Sequence, residues 1–248
     1  MNTNILYERL NKLYQTNEEI RIKNANLSTI NQQKLLTLKK IHTRKRCFII
    51  GGSPSLKKLN LTLLNDEITF TTNHGYKLSK FGLHNSTYHV MPDKNTFLED
   101  HVLDNLPLNF SKYFLIYAGI QFPHIENVIY FDYTFFSNIN FQFDITKPLV
   151  TKANAITLCI QLAVYMGISE IYLLGVDLDF VKLKGHAYVE CSGEKRRQQV
   201  DTKKTAKLTL NTIELYSQIL NKHNIKIYNA SPVGIVDCVP RVKYEDLF

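Results

Sequence analysis

From residue 46 onward, short apolar runs alternate with longer segments, and this alternation most constrains the fold. Seven apolar runs have the length of buried strands: 47–50, 67–72, 86–91, 112–117, 127–131, 170–177 and 225–230. Apolar side chains at helical spacing predict helices over 59–64, 153–167 and 205–224. Strands separated by helices pair in parallel. The sequence therefore predicts an α/β, Rossmann-like, doubly wound and mostly parallel sheet over residues 46–248.

Two segments stand apart from this alternation. Residues 1–45 contain no glycine or proline and carry apolar side chains at helical spacing, which predicts a helical N-terminal extension with a break near 24–26. Such an extension can mediate oligomerisation or cover one side of the catalytic domain. Residues 178–202 are polar and irregular, which predicts a lid over a site.

Charge and cysteine content narrow the classes of partner. The formal net charge of +8 favours anionic partners such as nucleotides, phosphates or an anionic membrane surface. The four cysteines form no CxxC pair, so neither a disulfide framework nor a zinc site is expected. No signal peptide and no window of about 18 apolar residues stand out. We therefore expect a cytoplasmic protein, and peripheral association with the inner face of the cytoplasmic membrane stays open.

Polar residues follow the predicted strands at the edge where open α/β sheets bind ligands. The loops after the first three strands offer glycine, hydroxyl, amide, imidazole and carboxylate groups: Gly51, Gly52, Ser53, Ser55, Asn73, His74 and Asp93. The start of the helix at 153–167 and the tip of the strand at 170–177 add four more: Thr151, Lys152, Asn154 and Asp177. Glycines let a backbone approach a phosphate closely, and a helix N-terminus, here with Thr151 as its expected cap, favours an anion. These residues predict a nucleotide site.

The predicted lid supplies the candidate base. His186 follows a glycine in a polar segment, and an imidazole can accept a proton near neutral pH. Asp93 is a second candidate for a catalytic role. Tyr188, also in the lid, is expected to contact the phosphate of the bound nucleotide.

Three segments of the sequence resemble known families. The run FIIGGSPSL (48–56) and the segment VTKANAITLCIQLAVYMGISEIYLLGVDLDF (150–180) resemble bacterial sialyltransferases of glycosyltransferase family 42. They are also similar to the domain of unknown function 115, which includes 6-hydroxymethylpterin pyrophosphokinase-like proteins and motility-associated flagellin glycosyltransferases. The closing run IKIYNASPVGIVDCVPRVKYEDLF (225–248) is typical of that second group. Together the resemblance covers about residues 46–248.

The resemblance implies a Rossmann-like fold, a CMP-linked nonulosonic acid as donor, and inverting transfer without a metal. It places Asn73, with His74 beside it, on a family asparagine that contacts the donor, and Asp93 on another family asparagine near the cytidine and ribose. Asp177 matches the aspartate of the family's GID motif. Gly52 stands where the sialyltransferases have a nucleotide-contacting asparagine.

Two positions depart from the family. Lys207 stands where the family has its catalytic histidine, which leaves His186 as the nearest candidate base. Lys152 replaces part of the family's phosphate motif.

The sequence thus predicts a glycosyltransferase that moves a sialic-acid-like sugar from a CMP donor to a hydroxyl of a cell-surface glycan: lipopolysaccharide, capsule or glycoprotein. No cofactor is required and no nucleic-acid partner is expected. The alternative is a diphosphokinase, in which Asp93, Asp177 and Asp179 hold Mg²⁺ with ATP. A non-catalytic nucleotide-binding domain that assembles through residues 1–45 is a third hypothesis, and a homo-oligomer stays open.

Overall fold

The computed structural model describes residues 17–99, 102–123, 125–135, 137–151, 154–179, 182, 184–198 and 202–248. The described strands are β1 (Arg46–Ile50), β2 (Thr69–Thr72), β3 (Ser86–Met91), β4 (Ser111–Tyr117), β5 (Val128–Phe131), β6 (Tyr133–Thr134), β7 (Leu149–Val150), β8 (Glu170–Leu174) and β9 (Lys226–Asn229). The described α-helices are α1 (17–26), α2 (Thr29–Thr37), α3 (Lys94–Glu99), α4 (Val102–Asn105), α5 (Ala155–Tyr165), α6 (Ser192–Gln198) and α7 (Thr202–Asn221).

Seven strands form one parallel sheet in the order β5-β4-β3-β2-β1-β8-β9, and β6 pairs with β7 in a second, two-stranded sheet. The predicted α/β, Rossmann-like fold is confirmed. The chain builds outward from β1 to β5 and then returns to β8 on the other side of β1. The direction of winding therefore reverses between β1 and β8, and such a switch point is where open α/β sheets leave a crevice.

Strand β1 is buried on both faces, as its continuous apolar sequence predicts. Side chains alternate across a strand, so Ile49 packs with α5 on one face, while Phe48 and Ile50 pack on the other. That second face is covered by two 3₁₀ helices, Pro54–Lys58 and Leu61–Leu64. The helix predicted at 59–64 is present as a short 3₁₀ helix that begins at Leu61, because the Asn60 side chain accepts a hydrogen bond from the Thr62 N–H and caps it.

The helices α1 and α2 cover the β5 edge of the sheet. The Asn31 side chain replaces a neighbouring strand: its Nδ2 donates to the Tyr130 carbonyl and its Oδ1 accepts from the Tyr130 N–H, both at 2.7 Å. Lys34 donates to the Val128 carbonyl on the same strand. Exposed edge strands invite aggregation, and these contacts occupy the edge groups of β5. The break between the two helices falls at 27–28 rather than 24–26, and residues 1–16 lie outside the described residues.

Part of the predicted lid packs on the switch point. The Ala187 N–H donates to the Gly52 carbonyl at 2.8 Å, and α6 follows a few residues later. Across the described residues, we find no helix with the length and apolar character needed to span a bilayer.

Candidate active site

A cavity of about 1100 Å³ opens beyond the carboxyl ends of β2, β3 and β4. Its wall is completed by α1, by β6 and the residue after it, and by the start of α5. The predicted site residues among its lining are Asn73, Asp93, Thr151 and Asn154. The volume is slightly above the range of about 300–1,000 Å³ that is common for ligand sites. These four predicted residues are therefore brought together at one open site.

The N-terminus of α5 opens into this cavity. Asn154 caps the helix, since its Oδ1 accepts from the Ile156 N–H at 3.1 Å, and its Nδ2 donates to Thr209 Oγ1 on α7 at 2.9 Å. The prediction that Thr151 is the cap is wrong: its Oγ1 lies 3.0 Å from Thr157 Oγ1 instead. The first turn of a helix carries partial positive charge, so this end of the cavity favours an anion. Lys152 lies outside the described residues.

Asn73 and His74 are adjacent residues after β2, but their side chains lie in different sites. Asn73 has a left-handed backbone with φ of +49°, a conformation that asparagine adopts more readily than most residues. Its neighbour His74 is 2% exposed and turns away into the protein. Asn73 therefore lines the cavity, while His74 belongs to a second cluster beneath the lid.

The Asp93 carboxylate is engaged at the start of α3. Its Oδ1 accepts from the Asn95 N–H at 2.9 Å, and its Oδ2 accepts from the Thr96 hydroxyl at 2.6 Å. These bonds are those of a helix cap. Asp93 lines the cavity with a structural role in place, and its catalytic role stays a prediction.

The loops after β1 and β8 bind one another. Ser55 Oγ donates to Asp177 Oδ1 at 2.6 Å, and the Asp177 N–H donates to Ser53 Oγ at 3.2 Å. Asp177 is 1% exposed, and burial raises its pKa although the Ser55 hydrogen bonds oppose this shift. A Cβ on Gly51 would lie 2.3 Å from the Gly175 carbonyl oxygen. This part of the predicted site is a packed junction, and none of its residues lines the cavity.

His186 is clamped at this junction. Its ring stacks on the Tyr188 ring, with centroids 5.0 Å apart and planes within 6°. A Cβ on Gly52 would lie 2.5 Å from His186 Cδ2, so the missing side chain of Gly52 makes room for the imidazole. His186 Nδ1 lies 2.6 Å from Glu190 Oε1. When Nδ1 carries the proton and donates it to this carboxylate, Nε2 is left as the acceptor.

Glu194 joins the lid to the residues after β2. Its carboxylate accepts from the Tyr188 hydroxyl at 3.0 Å, the Cys191 N–H at 3.1 Å and Lys77 Nζ at 3.3 Å. His74 Nε2 lies 3.7 Å away. Burial raises the pKa of Glu194, but the charge of His74, the Cys191 hydrogen bond and the charge of Lys77 outweigh burial and hold that pKa below its ordinary value. Neither Glu190 nor Glu194 follows a predicted strand directly, so the position of strand ends in the sequence does not single out either carboxylate.

Two sets of residues contain side chains that could ligate a metal ion. His74, Cys191 and Glu194 have ligand atoms within 4.8 Å of one another, a donor set that zinc accepts. However, Lys77 and two other donors already satisfy Glu194, and a divalent cation would be repelled by this ammonium. We interpret the group as an ion-pair network, and independence from metal stays a prediction.

The carboxylates of the kinase alternative do not form such a group. Asp177 holds Ser55 and Asp93 caps α3, while Asp179 Oδ1 accepts from the Lys182 N–H. In the described part of the chain these three do not come together as metal ligands.

The sheet order, the switch point and the cavity at the carboxyl edge define a Rossmann-like fold of the kind found in some glycosyltransferases. The fold is similar to that of the MAf glycosyltransferase from Magnetospirillum magneticum AMB-1, with 14% identity and a TM-score of 0.53 over 85% of this chain. The match covers 35% of that protein, so this chain spans about a third of its length.

The sialyltransferase CstII from Campylobacter jejuni, solved with a substrate analogue, cytidine-5′-monophosphate, matches at 16% identity and a TM-score of 0.48, over 80% of this chain and 87% of that one. Neither a protein-family model nor a curated protein matches the chain. The likeness to the MAf glycosyltransferase confirms, at the level of the fold alone, the predicted resemblance to glycosyltransferases.

Proposed function

We propose that this chain is a glycosyltransferase that takes a sialic-acid-like sugar from a CMP-activated donor and transfers it to a glycan hydroxyl. The observation that carries the proposal is the open cavity into which Asn73 and the N-terminus of α5 converge. The likeness of the fold to a glycosyltransferase and the family resemblance of residues 46–248 support the same class of enzyme.

We call the part of the cavity lined by Asn73 and the N-terminus of α5 the donor half. It would stabilise the CMP leaving group. As the bond from the sugar to CMP breaks, negative charge develops on the phosphate. The N-terminus of α5, capped by Asn154, presents fixed dipoles to that charge without having to reorganise. The amide of Asn73 can donate and accept hydrogen bonds to the nucleoside.

The acceptor hydroxyl needs a base as it attacks the anomeric carbon. His186 is the candidate, because Glu190 can fix the proton on Nδ1 and leave Nε2 to accept the hydroxyl proton. Gly52 and Tyr188 hold the ring from both sides, which limits its rotation. His186 does not line the cavity in this structure, so this role requires the lid segment to move toward the cavity during the reaction.

A thermal-shift screen with CMP, CDP, UDP, GDP and ATP, each with Mg²⁺ and with EDTA, tests the nucleotide. We expect CMP to stabilise the protein in EDTA. At a CMP concentration about tenfold above its Kd, linkage gives about 1.4 kcal/mol, or roughly 3–5 °C in Tm. Selective stabilisation by ATP with Mg²⁺ would contradict the proposal in favour of the kinase.

The variant Asn73→Gly removes the side chain but keeps the left-handed backbone without strain. We expect it to lose most of the CMP shift. Its matched control is Asn224→Gly, since Asn224 has a similar φ of +58° in the exposed turn before β9. If CMP raises the Tm of both variants equally, Asn73 does not contribute to CMP binding.

A further inference from the structure

The other half of the cavity lies beneath α1 and is lined by the aromatic residues Tyr117, Tyr133 and Phe135. The donor half has no aromatic lining among the described residues. The rings of Tyr117 and Tyr133 lie 4.8 Å apart, and Phe135 packs edge-on against Tyr133 at 5.5 Å. Phe135 and Leu98 line the same half and are 55% and 56% exposed. Two large apolar side chains that face solvent at the rim of a cavity indicate a binding surface.

Charge in this half runs against the basic character of the chain. Glu18 and Glu19 of α1 line the wall and pair with Arg21 and Lys94, at 2.6 and 3.1 Å. Asp93 adds a carboxylate, so the described residues that line the cavity include three carboxylates and one cation, Lys94. An anionic acceptor would therefore be repelled here, although the whole chain has a net charge of +8. Carboxylates instead accept hydrogen bonds from neutral hydroxyls.

The two halves are far enough apart to hold two substrates. Asn73 follows β2, Tyr117 ends β4, and β3 lies between them. Adjacent strands are about 4.8 Å apart, which separates these two strand ends by roughly 10 Å. A nucleoside phosphate that contacts Asn73 and the N-terminus of α5 would leave the aromatic half open.

We propose that the half of the cavity beneath α1 is the acceptor subsite and that it binds an uncharged sugar ring. The C–H face of the sugar packs on Phe135, and its hydroxyls donate to the carboxylates of the rim. That the bound sugar is the acceptor rests on the proposed function. The preference for a neutral sugar over an anionic one rests on the ring contacts and charges alone.

Saturation-transfer NMR can test this with four probes: the methyl glycosides of galactose, glucose, N-acetylglucosamine and glucuronic acid. We expect saturation transfer to at least one of the three neutral glycosides, and weaker transfer to the anionic one. The variant Phe135→Ala should weaken neutral binding about tenfold, because it removes the ring on which the sugar packs. The variant Phe135→Tyr keeps the ring and should restore binding.

The matched control is Phe143→Ala. Phe143 is also an exposed aromatic residue, at 41%, but it packs on Phe141 and does not line the cavity. Equal binding of neutral glycosides to the Phe135→Ala and Phe143→Ala proteins would overturn the proposal, as would a preference for the anionic glycoside or no neutral binding at all. The CMP thermal shift is measured on the same samples. If neutral glycosides bind in a way that depends on Phe135 but CMP causes no thermal shift, the sugar subsite is supported and the proposed function is refuted.

Discussion

Lowering the pH should destabilise the protein through one buried histidine on β3. His89 is fully buried, with Nδ1 2.9 Å from Thr71 Oγ1 and its ring edge-on to Phe110 and Phe114. Burial, with a smaller contribution from the charge of His74, lowers the pKa of His89 from 6.5 to about 3, although a backbone hydrogen bond at Asn73 opposes this.

The sign of the effect follows from which state binds the proton. In the folded protein His89 stays neutral down to about pH 3, whereas in the unfolded chain it is protonated below its ordinary pKa of 6.5. The unfolded state therefore binds more protons between these values, and the free energy of unfolding falls as the pH falls. At about 1.4 kcal/mol per pH unit well below pH 6.5, the loss between pH 7 and pH 5 is about 2 kcal/mol.

Urea denaturation of three proteins at pH 7 and pH 5 isolates this contribution. The variant His89→Gln keeps a polar side chain near Thr71 but does not titrate. It should lose about 2 kcal/mol less than the wild type on acidification, even if it is less stable at pH 7. The control His84→Gln removes an exposed histidine and should follow the wild type. If wild type and His89→Gln lose the same stability, the folded protein accommodates a charged imidazole at this position and the reasoning is wrong.

Two further predictions concern close contacts of the sheet. Gly51→Ala places a methyl group 2.3 Å from the backbone oxygen of Gly175. It should lower the free energy of unfolding by about 3 kcal/mol. An unchanged urea midpoint would show that the loops after β1 and β8 separate easily. Asn31→Ala removes both hydrogen bonds to Tyr130 and should cost about 2 kcal/mol, seen as a fall of roughly 4–8 °C in Tm. A variant that melts within 1 °C or so of the wild type would mean that water replaces the amide on β5 without loss.

The strands were predictable because a parallel sheet buries both faces of each strand and therefore needs continuous apolar runs. β1 is such a run, with Phe48 on one face and Ile49 on the other. β6 and β7 were missed, since two residues each are too few to give a pattern. The segment at 59–64 has apolar residues at helical spacing, but local bonding of the Asn60 side chain favours a 3₁₀ turn over a longer helix.

The candidate site was predictable only in part. The preference of helix N-termini for anions selected Asn154, and the rule that ligands bind beyond the carboxyl ends of strands selected Asn73; both residues line the cavity. The same rule selected Gly51 and Gly52, but a glycine can admit a ligand or another part of the protein. Here Gly51 admits the Gly175 backbone and Gly52 admits the His186 ring. The sequence does not distinguish these uses, because both require only that a side chain be missing.

The boundary between the cavity and the lid falls within two adjacent residues. Asn73 lines the cavity, while the imidazole of His74 lies 3.7 Å from the Glu194 carboxylate, and Lys77 donates to that carboxylate from the same 3₁₀ helix, Asn73–Phe81. The lid is thus attached to the first residues after β2 by charged groups in a buried environment, where removing one partner is costly. A movement of α6 that breaks these contacts would change the support of the helix that begins with Asn73. For this reason α6 and the part of the cavity that Asn73 lines are expected to move together.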